Sequence, residues 1–394
     1  MNLGILRERA AGDRRVALVP EMAAELARQG HRVLVERQAG VGAHFADAAY
    51  QEAGAQVVDE AASVAQSADA WLCINLPPRD LLVAARPGTV LVGLLAPVAQ
   101  ARAMEQLAAQ GLAVYSLDAM PRISRAQTMD VLSAMGTVSG YRAVIVAAHL
   151  VERFFPLLMT AAGTVRPARV LVLGAGVAGL QAVATARRLG AVVQAFDARP
   201  IVREQVESLG GAFLTLPALA AEGEGGYARA LAADEEARER ELLAGPVATA
   251  DVIVTTAMVP GRQAPLLISE EMVASMPGGA VIMDLAAPTG GNCAVTVPGQ
   301  RVVVHDVIVD GSQNLAAEMP NPASRLYSRN LVNFFLLMVA EGLSSEDGGP
   351  PTLPEPDRDA ILAATAITRD GRIVHRGTAE ALGRLADPVP QGGA

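Results

Sequence analysis

The chain is expected to fold as two doubly wound α/β domains joined by long bridging helices. Three observations predict this. Strand-like and helix-like segments alternate almost throughout the 394 residues. One apolar strand runs straight into a glycine-rich turn and then a helix. A long helical stretch parts two alternating series. Alternation of this kind places strands in parallel with crossover helices between them. The length also fits two domains of ordinary size better than one.

The first series opens with an apolar strand over residues 2–6. Residues 21–29 carry Met22, Leu26 and Gln29 at helical spacing, with Pro20 near the first turn. Gly30 stops that helix, and HRVLVE over 31–36 reads as the next strand. Further strands are expected at 56–58, 70–76, 90–95 and 113–116, with helices such as 100–110 between them. The second series begins at Ala168, with strands at 169–173, 192–196, 212–216, 251–255, 280–284 and 302–305. Between the series a helix is expected from about residue 129 to 158, and a second long helix over 323–341. These two are read as the bridges, with the chain returning to the first domain after about residue 310. One discontinuous domain, 1–130 plus 320–394, and a second, 131–319, follow from that reading. Residues 344–357 look like an exposed loop, and ITRDGRIVHRG reads as a β-hairpin turning at Asp370-Gly371.

Composition excludes several function classes. No lysine occurs, so all 32 Lys+Arg are arginines. A lysine Schiff base is impossible, and so is a phosphate loop that ends in Gly-Lys-Ser/Thr. The formal charge is −9 and no basic tract is present, which argues against a nucleic-acid surface. Cys73 and Cys293 are far apart and form no CxxC, so neither a disulfide framework nor a metal site is expected, and a reducing cytoplasm is the default. The opening residues do not read as a signal peptide. Apolar runs such as 90–99 and 331–340 are shorter than the ~20 residues that span a bilayer.

The sharpest local motif is V-L-V-L-G-A-G-V-A-G-L-Q-A over 170–182. Gly174 allows a tight turn, Gly176 lets the backbone approach a pyrophosphate, and Gly179 lets the helix pack on the strand. The free N–H groups and dipole of the helix start favour phosphate charge. The next strand ends at Asp197, 18 residues after Gly179. A carboxylate there accepts hydrogen bonds from ribose hydroxyls and repels a 2′-phosphate, which favours NAD(H) over NADP(H). Arg199 beside it works against that preference. The loops 255–261, with Ala257 and Met258, and 286–292 follow later strands, where a nicotinamide half-site belongs. Each reads equally well as a tight βα turn.

Two segments are not explained by alternation. Residues 120–142 hold Arg122, Arg125, Gln127, Asp130 and Ser133 at the mouth of the long helix. Asp130 and Ser133 share a helix face, with Gln127 one turn earlier. This is either an ordinary polar helix start or a binding cluster. Residues 217–243 hold EGEGGY around Tyr227 and then ADEEARERE. They read as a surface loop with a solvated helix, or as a lid over a ligand.

Taken together, these motifs make the chain similar to the NAD(H)-binding alpha component of proton-translocating NAD(P) transhydrogenase, in the alanine dehydrogenase/transhydrogenase family. The likeness is strongest to the short soluble form. It runs through RERAAGDRRVALVP, MPRISRAQTMDVLS, AAGTVRPARVLVLGAGVAGLQAVATARRLGA, EQVESLGGAF, GGYA, TTAMVPGRQAP, DLAAPTGGNC and ITRDGRIVH. MPRISRAQ with its Asp and Ser is much more specific than GxGxxG. The resemblance implies two Rossmann-like domains and direct hydride transfer between NADH and NADP+ held on a partner. It implies that Arg122, Gln127, Asp130 and Ser133 hold the nicotinamide and its ribose, and that Tyr227 belongs to a loop closing over the cofactor. Val177, Asp197, Ala198, Arg199, Gly226 and Met258 match cofactor-contacting positions, with Glu239 a looser match. The implied partners are a second copy of the chain, an NADP(H)-binding beta subunit and a short membrane subunit. The implied location is the cytoplasmic face of the cell membrane, reached through those partners.

The sequence departs from the family at Met135-Gly136 and over 310–322. These departures keep a non-catalytic NAD(H)-sensing module open as an alternative. Another alternative is a stand-alone amino-acid dehydrogenase resembling alanine dehydrogenase. Alignment places that enzyme's substrate lysine at Cys73 and its histidine at Leu94, which argues against it, although Arg15 is retained.

Overall fold

The computed structural model describes residues 1–215, 233–258, 263–345, 349–355 and 358–383, with the side chains of 233–237 excepted. The chain divides into two compact units, 1–135 with 317–394 and 136–316. The division falls inside the helix Val131–Leu150, whereas the helix Pro320–Ala340 lies wholly in the first unit.

The first unit opens with strands β1 (Asn2–Ile5), β2 (Arg32–Glu36), β3 (Gln56–Val58), β4 (Ala70–Leu72), β5 (Val90–Gly93) and β6 (Ala113–Ser116). They pair in parallel in the order β3-β2-β1-β4-β5-β6. The order reverses beside β1, so a crevice opens at the carboxyl ends of β1 and β4. One face is covered by a core that includes Leu34, Val64, Trp71, Leu91, Met104 and Leu107.

The second unit starts with a short hairpin, β7 (Leu158–Thr160) and β8 (Gly163–Val165). Its main sheet comprises β9 (Arg169–Leu173), β10 (Val192–Phe196), β11 (Ala212–Phe213), β12 (Val252–Thr255), β13 (Val281–Asp284), β14 (Arg301–Val304) and β15 (Val307–Asp310). The order is β11-β10-β9-β12-β13-β15-β14, again reversing beside the first strand. Period-two alternation assigns the two faces. Val170, Val172, Val252, Val254, Val281 and Met283 face one core, shared with Ala143, Val144 and Ala147 of the helix Val131–Leu150. Leu171, Leu173, Ile253 and Ile282 face the other, with Leu243, Val247 and Met272. The central strands β9, β12 and β13 are buried on both faces, and that is why they read as continuous apolar runs, whereas β14 at the edge is partly exposed.

The first unit is completed by β16 (Ala366–Arg369) and β17 (Arg372–Ile373), an antiparallel hairpin added beside β6. Its turn is the expected one: Asp370 and Gly371 both take positive φ, 49° and 76°.

Several expected boundaries move, and the strands expected at 70–76 and 90–95 end at Leu72 and Gly93. The long helix is Val131–Leu150, not 129–158. Asp130 starts it as a cap, its carboxylate accepting from the Ser133 N–H at 2.9 Å, and Leu158 belongs to the β7–β8 hairpin. The strand expected at 212–216 shortens to Ala212–Phe213. The strand expected at 302–305 is instead half of the antiparallel pair β14–β15, turning at His305 and Asp306 with φ of 51° and 62°. It is β15, missed by the pattern, that pairs with β13. The two apolar runs parted by His-Asp were too short for their hairpin to stand out.

Val131–Leu150 is also long and apolar enough, by length and composition, to cross a membrane. Its apolar character has a core explanation here, because Ala143, Val144 and Ala147 are fully buried. Gly140 brings the same helix against the start of Val177–Arg188, since a Cβ on it would lie 2.1 Å from the Ala178 carbonyl oxygen. Gly140→Ala is therefore expected to destabilise the protein by about 1–3 kcal/mol through overpacking. Gly136→Ala, in the same helix, would make only ordinary contacts at 3.8–3.9 Å with Val177 and Ala178 and is expected to be neutral or to stabilise by up to about 1 kcal/mol. Denaturation midpoints of the two variants check the contrast.

Candidate functional site

The second unit's crevice is built from a glycine turn. β9 ends at Leu173, and Gly174 turns with φ of 95°. A Cβ there would lie 2.7 Å from Thr256 Oγ1, and that hydroxyl donates to the Gly174 carbonyl at 2.9 Å. A Cβ on Gly179 would overlap the same carbonyl at 1.8 Å. These two glycines are thus required by close backbone approach between the ends of β9 and β12 and the following helix. Gly176 differs. It caps Val177–Arg188 without a side-chain partner, and a Cβ on it would meet nothing within 4 Å. The helix start therefore faces open space, as an anion held by main-chain N–H groups requires. Val177, the first helical residue, is exposed.

Asp197 directly follows the last residue of β10 and is buried. Its Oδ2 accepts from the Ala175 N–H at 2.7 Å, which fastens it to the glycine turn. Arg199 supplies the rest: its N–H and Nε donate to Oδ1 at 2.9 Å each, and Nη2 donates to Oδ2 at 2.8 Å. Any hydroxyl that bonds Asp197 must therefore compete with these guanidinium contacts. Ala198 and Arg199 are half-buried beside it. Ala257 is half-buried and Met258 exposed at the end of β12, next to Gly174. Glu239 is buried in the helix Ala233–Ala248 and has a partner of its own. Gly226 and Tyr227 lie outside the described residues.

In the first unit, residues 122–133 take a form the pattern did not predict. Gln127 lies in a 3-10 segment, Ser124–Met129, not one turn earlier on the long helix. Asp130 caps that helix, and the Ser133 hydroxyl donates to its Oδ2 at 2.6 Å. Arg122 and Gln127 are exposed, and Ser133 is half-buried. The segment is held by residues not singled out from sequence. Asn330 and Asn333, one helical turn apart on Pro320–Ala340, both donate to the Thr128 carbonyl, at 2.7 and 2.9 Å. Arg125 pairs with the buried Asp359 at 2.5 Å. Asp359 also caps the helix Ala360–Thr365 through the Ile361 and Leu362 N–H groups.

The first unit's own crevice is filled by charged groups that satisfy each other. Glu8 accepts from the Ile74 N–H at 2.7 Å, the Asn75 N–H at 3.1 Å and Asn75 Nδ2 at 2.9 Å. Burial pushes its carboxyl above the ordinary value. Asp13 takes Arg15 through two bonds, Nε at 2.9 Å and Nη2 at 2.6 Å, and also Asn75 Nδ2 at 2.9 Å. Burial raises the Asp13 carboxyl, but Arg15 outweighs it and the net shift is downward. The alignment at Cys73 needs correction here. Cys73 is buried in the core, its thiol donating to the Val92 carbonyl at 3.4 Å and pushed well up by burial. It presents nothing to the crevice. The side chain at that place is Asn75, an uncharged amide that is neither an acid nor a base at neutral pH.

These features define a two-unit α/β protein with a glycine turn of the dinucleotide-binding type. The chain belongs to the alanine dehydrogenase/PNT family, whose N-terminal domain matches residues 4–139 and whose C-terminal domain matches 143–376. It is 43% identical to the first part of NAD(P) transhydrogenase subunit alpha of Rhodospirillum rubrum, over 95% of this chain and 98% of that one. The crystal structure of transhydrogenase from Sinorhizobium meliloti superposes with a TM-score of 0.84 at 39% identity, covering 95% of this chain and all of the other. Alanine dehydrogenase of Halomonas elongata is more distant, at 29% identity over 97% of each chain.

Asp359 yields a pH test. Burial raises its carboxyl, but the Arg125 guanidinium and the two helix N–H groups hold it below the ordinary 3.8. Its contribution is therefore full above pH 3.8 and is lost as pH falls through the lower folded-state value. Asp359→Ala is expected to cost about 1–2 kcal/mol at pH 7 through the lost cap. Asp359→Asn, which keeps the cap, should cost less. Unfolding followed between pH 7 and pH 3 should show each gap to wild type closing as the pH falls.

Proposed function

We propose that this chain is the NAD(H)-binding alpha component of a proton-translocating transhydrogenase. It works with NADP(H) held on a beta subunit and with a short membrane subunit, as a homodimer on the cytoplasmic face of the membrane. The observation that carries the reading is the Gly174–Gly179 turn with Asp197 bonded to it through Ala175. Near-complete coverage of the Rhodospirillum rubrum subunit supports it.

The residues present fit a dinucleotide. The N–H groups at Gly176 and Val177 face open space for a pyrophosphate, and Asp197 suits the adenosine ribose. When bound, the reduced nicotinamide supplies a hydride from C4 to an oxidised nicotinamide on the partner. Such a transfer moves no proton, so the chain needs no general acid or base. Its residues instead bind, orient and exclude water. Ala257 and Met258 border the nicotinamide half, with Ala198 and Arg199 beside the ribose and Glu239 supporting from its helix. Arg122, Gln127, Asp130 and Ser133 hold the ring and its ribose, Asp130 through a carboxylate already oriented by Ser133. By the resemblance alone, Tyr227 belongs to the loop that closes over the cofactor and Gly226 contacts it. Departure from alanine dehydrogenase chemistry rests on Asn75 and Leu94, neither of which can bind a keto acid and exchange a proton as lysine and histidine do.

Two measurements test this. In a fluorescence titration NADH should bind at least about tenfold more tightly than NADPH, the effect of one interaction that discriminates by charge. Asp197→Asn should narrow that gap, and equal binding by the wild type refutes the role of Asp197. Gln127→Ala, assayed with an NADP(H)-binding transhydrogenase component, should slow turnover far more than it weakens NADH binding. Equal losses would make Gln127 a simple binding residue.

A further inference from the structure

One fully buried side chain governs the loop leaving β12, and nothing in the proposed chemistry uses it. Asn292 lies in the loop after β13 at 0% exposure. Its Oδ1 accepts from the Ala257 N–H at 3.1 Å, and its Nδ2 donates to the Ala257 carbonyl at 2.8 Å. The same Nδ2 donates to the Pro265 carbonyl at 2.8 Å. One amide thus grips Ala257 by both its N–H and its C=O and ties in the returning stem at Pro265. All three partners are main-chain groups, so the amide sets where that backbone lies.

Asn292 is itself set by Asp284, the last residue of β13. Asp284 is buried and collects five donors. Oδ2 takes the Asn292 N–H at 2.8 Å, the Cys293 N–H at 3.2 Å and Thr296 Oγ1 at 2.7 Å. Oδ1 takes Thr255 Oγ1 at 2.8 Å and the Ala286 N–H at 3.1 Å. Gly291, with φ of 83°, lets the loop wrap this closely, since a Cβ there would stand 2.7 Å from Oδ2. At the other end, Ala257 adjoins the glycine turn: a Cβ on Gly174 would lie 3.0 Å from its nitrogen. A rigid path therefore runs from Asp284 through Asn292 to the backbone at Ala257 and Met258.

We infer that Asn292 is a positioning residue for the nicotinamide half of the bound dinucleotide, acting through Ala257 and Met258. The inference rests on the NAD(H) reading above. Without the amide, Ala257 loses a donor and an acceptor partner together, and the cofactor must order that backbone itself on binding. Among the described residues, no side-chain hydrogen bond of Asn292 or Asp284 goes to the Gly174–Gly179 turn or to Asp197, which hold the adenosine half. A merely structural role would weaken both halves alike.

The experiment is calorimetric titration of the full chain with NADH and with ADP-ribose, which lacks the nicotinamide. Asn292→Ala should weaken NADH by about tenfold, the effect of one to two hydrogen bonds, and leave ADP-ribose unchanged. Asn292→Asp keeps the side chain's shape and its acceptor for Ala257 but sets a carboxylate against two carbonyl oxygens. It should show the same split, and it serves if the alanine variant does not fold. Equal losses for both ligands, or no loss for either, overturn the positioning role. A wild-type chain that binds neither ligand overturns the NAD(H) reading, and the inference falls with it.

Discussion

The second unit depends on main-chain contact where β9 and β12 end. Gly174 and Gly179 leave no side chain between the strand end, the next helix and Thr256. Any Cβ at either place would collide with backbone or with a hydroxyl that already bonds the Gly174 carbonyl. The close approach places the start of Val177–Arg188 at the switch in strand order, where its first N–H groups have no intrahelical partner. Gly140 extends the same logic to the helix Val131–Leu150, which lies against Ala178. Three glycines thus decide how near the elements come.

Buried carboxylates then arrange the loops around that turn. Asp197 joins β10 to the turn through Ala175, and Asp284 gathers the loops after β12 and β13. Each sits at the carboxyl end of a strand and is satisfied by main-chain or short polar donors, as a buried acid must be. The first unit repeats the strand order but uses its acids differently. Glu8 and Asp13 are taken up by Asn75 and Arg15, so its crevice is closed by internal pairs and has no glycine turn. Two copies of one architecture carry different chemistry because different residues stand at the same strand ends.

Much was legible because it depends on local pattern. Strands buried on both faces are continuous apolar runs, and GxGxxG after such a run has a direct steric meaning, which Gly174 and Gly179 bear out. Asp370-Gly371 announced its hairpin by turn chemistry. The β14–β15 hairpin was missed because His305-Asp306 is a weak turn signal in two short apolar runs. The helix expected from residue 129 starts later because Asp130 is a cap, which periodicity alone does not mark. Cys73 is buried in the core, and the side chain that meets Glu8 and Asp13 is Asn75, two places on, which strand alternation alone does not single out.

By itself the sequence determined the class of fold, the glycine turn, the acid that follows it and the family the chain belongs to. These rest on spacing within a few dozen residues, where sterics and hydrogen bonding act locally. Only the tertiary structure decided that Arg199 occupies Asp197 and that Asn330 and Asn333 hold Thr128. It alone brought Asn292 to Ala257 across 35 residues of chain. Such pairings join segments that no periodicity links, and they exist only once the sheets have brought their strand ends together.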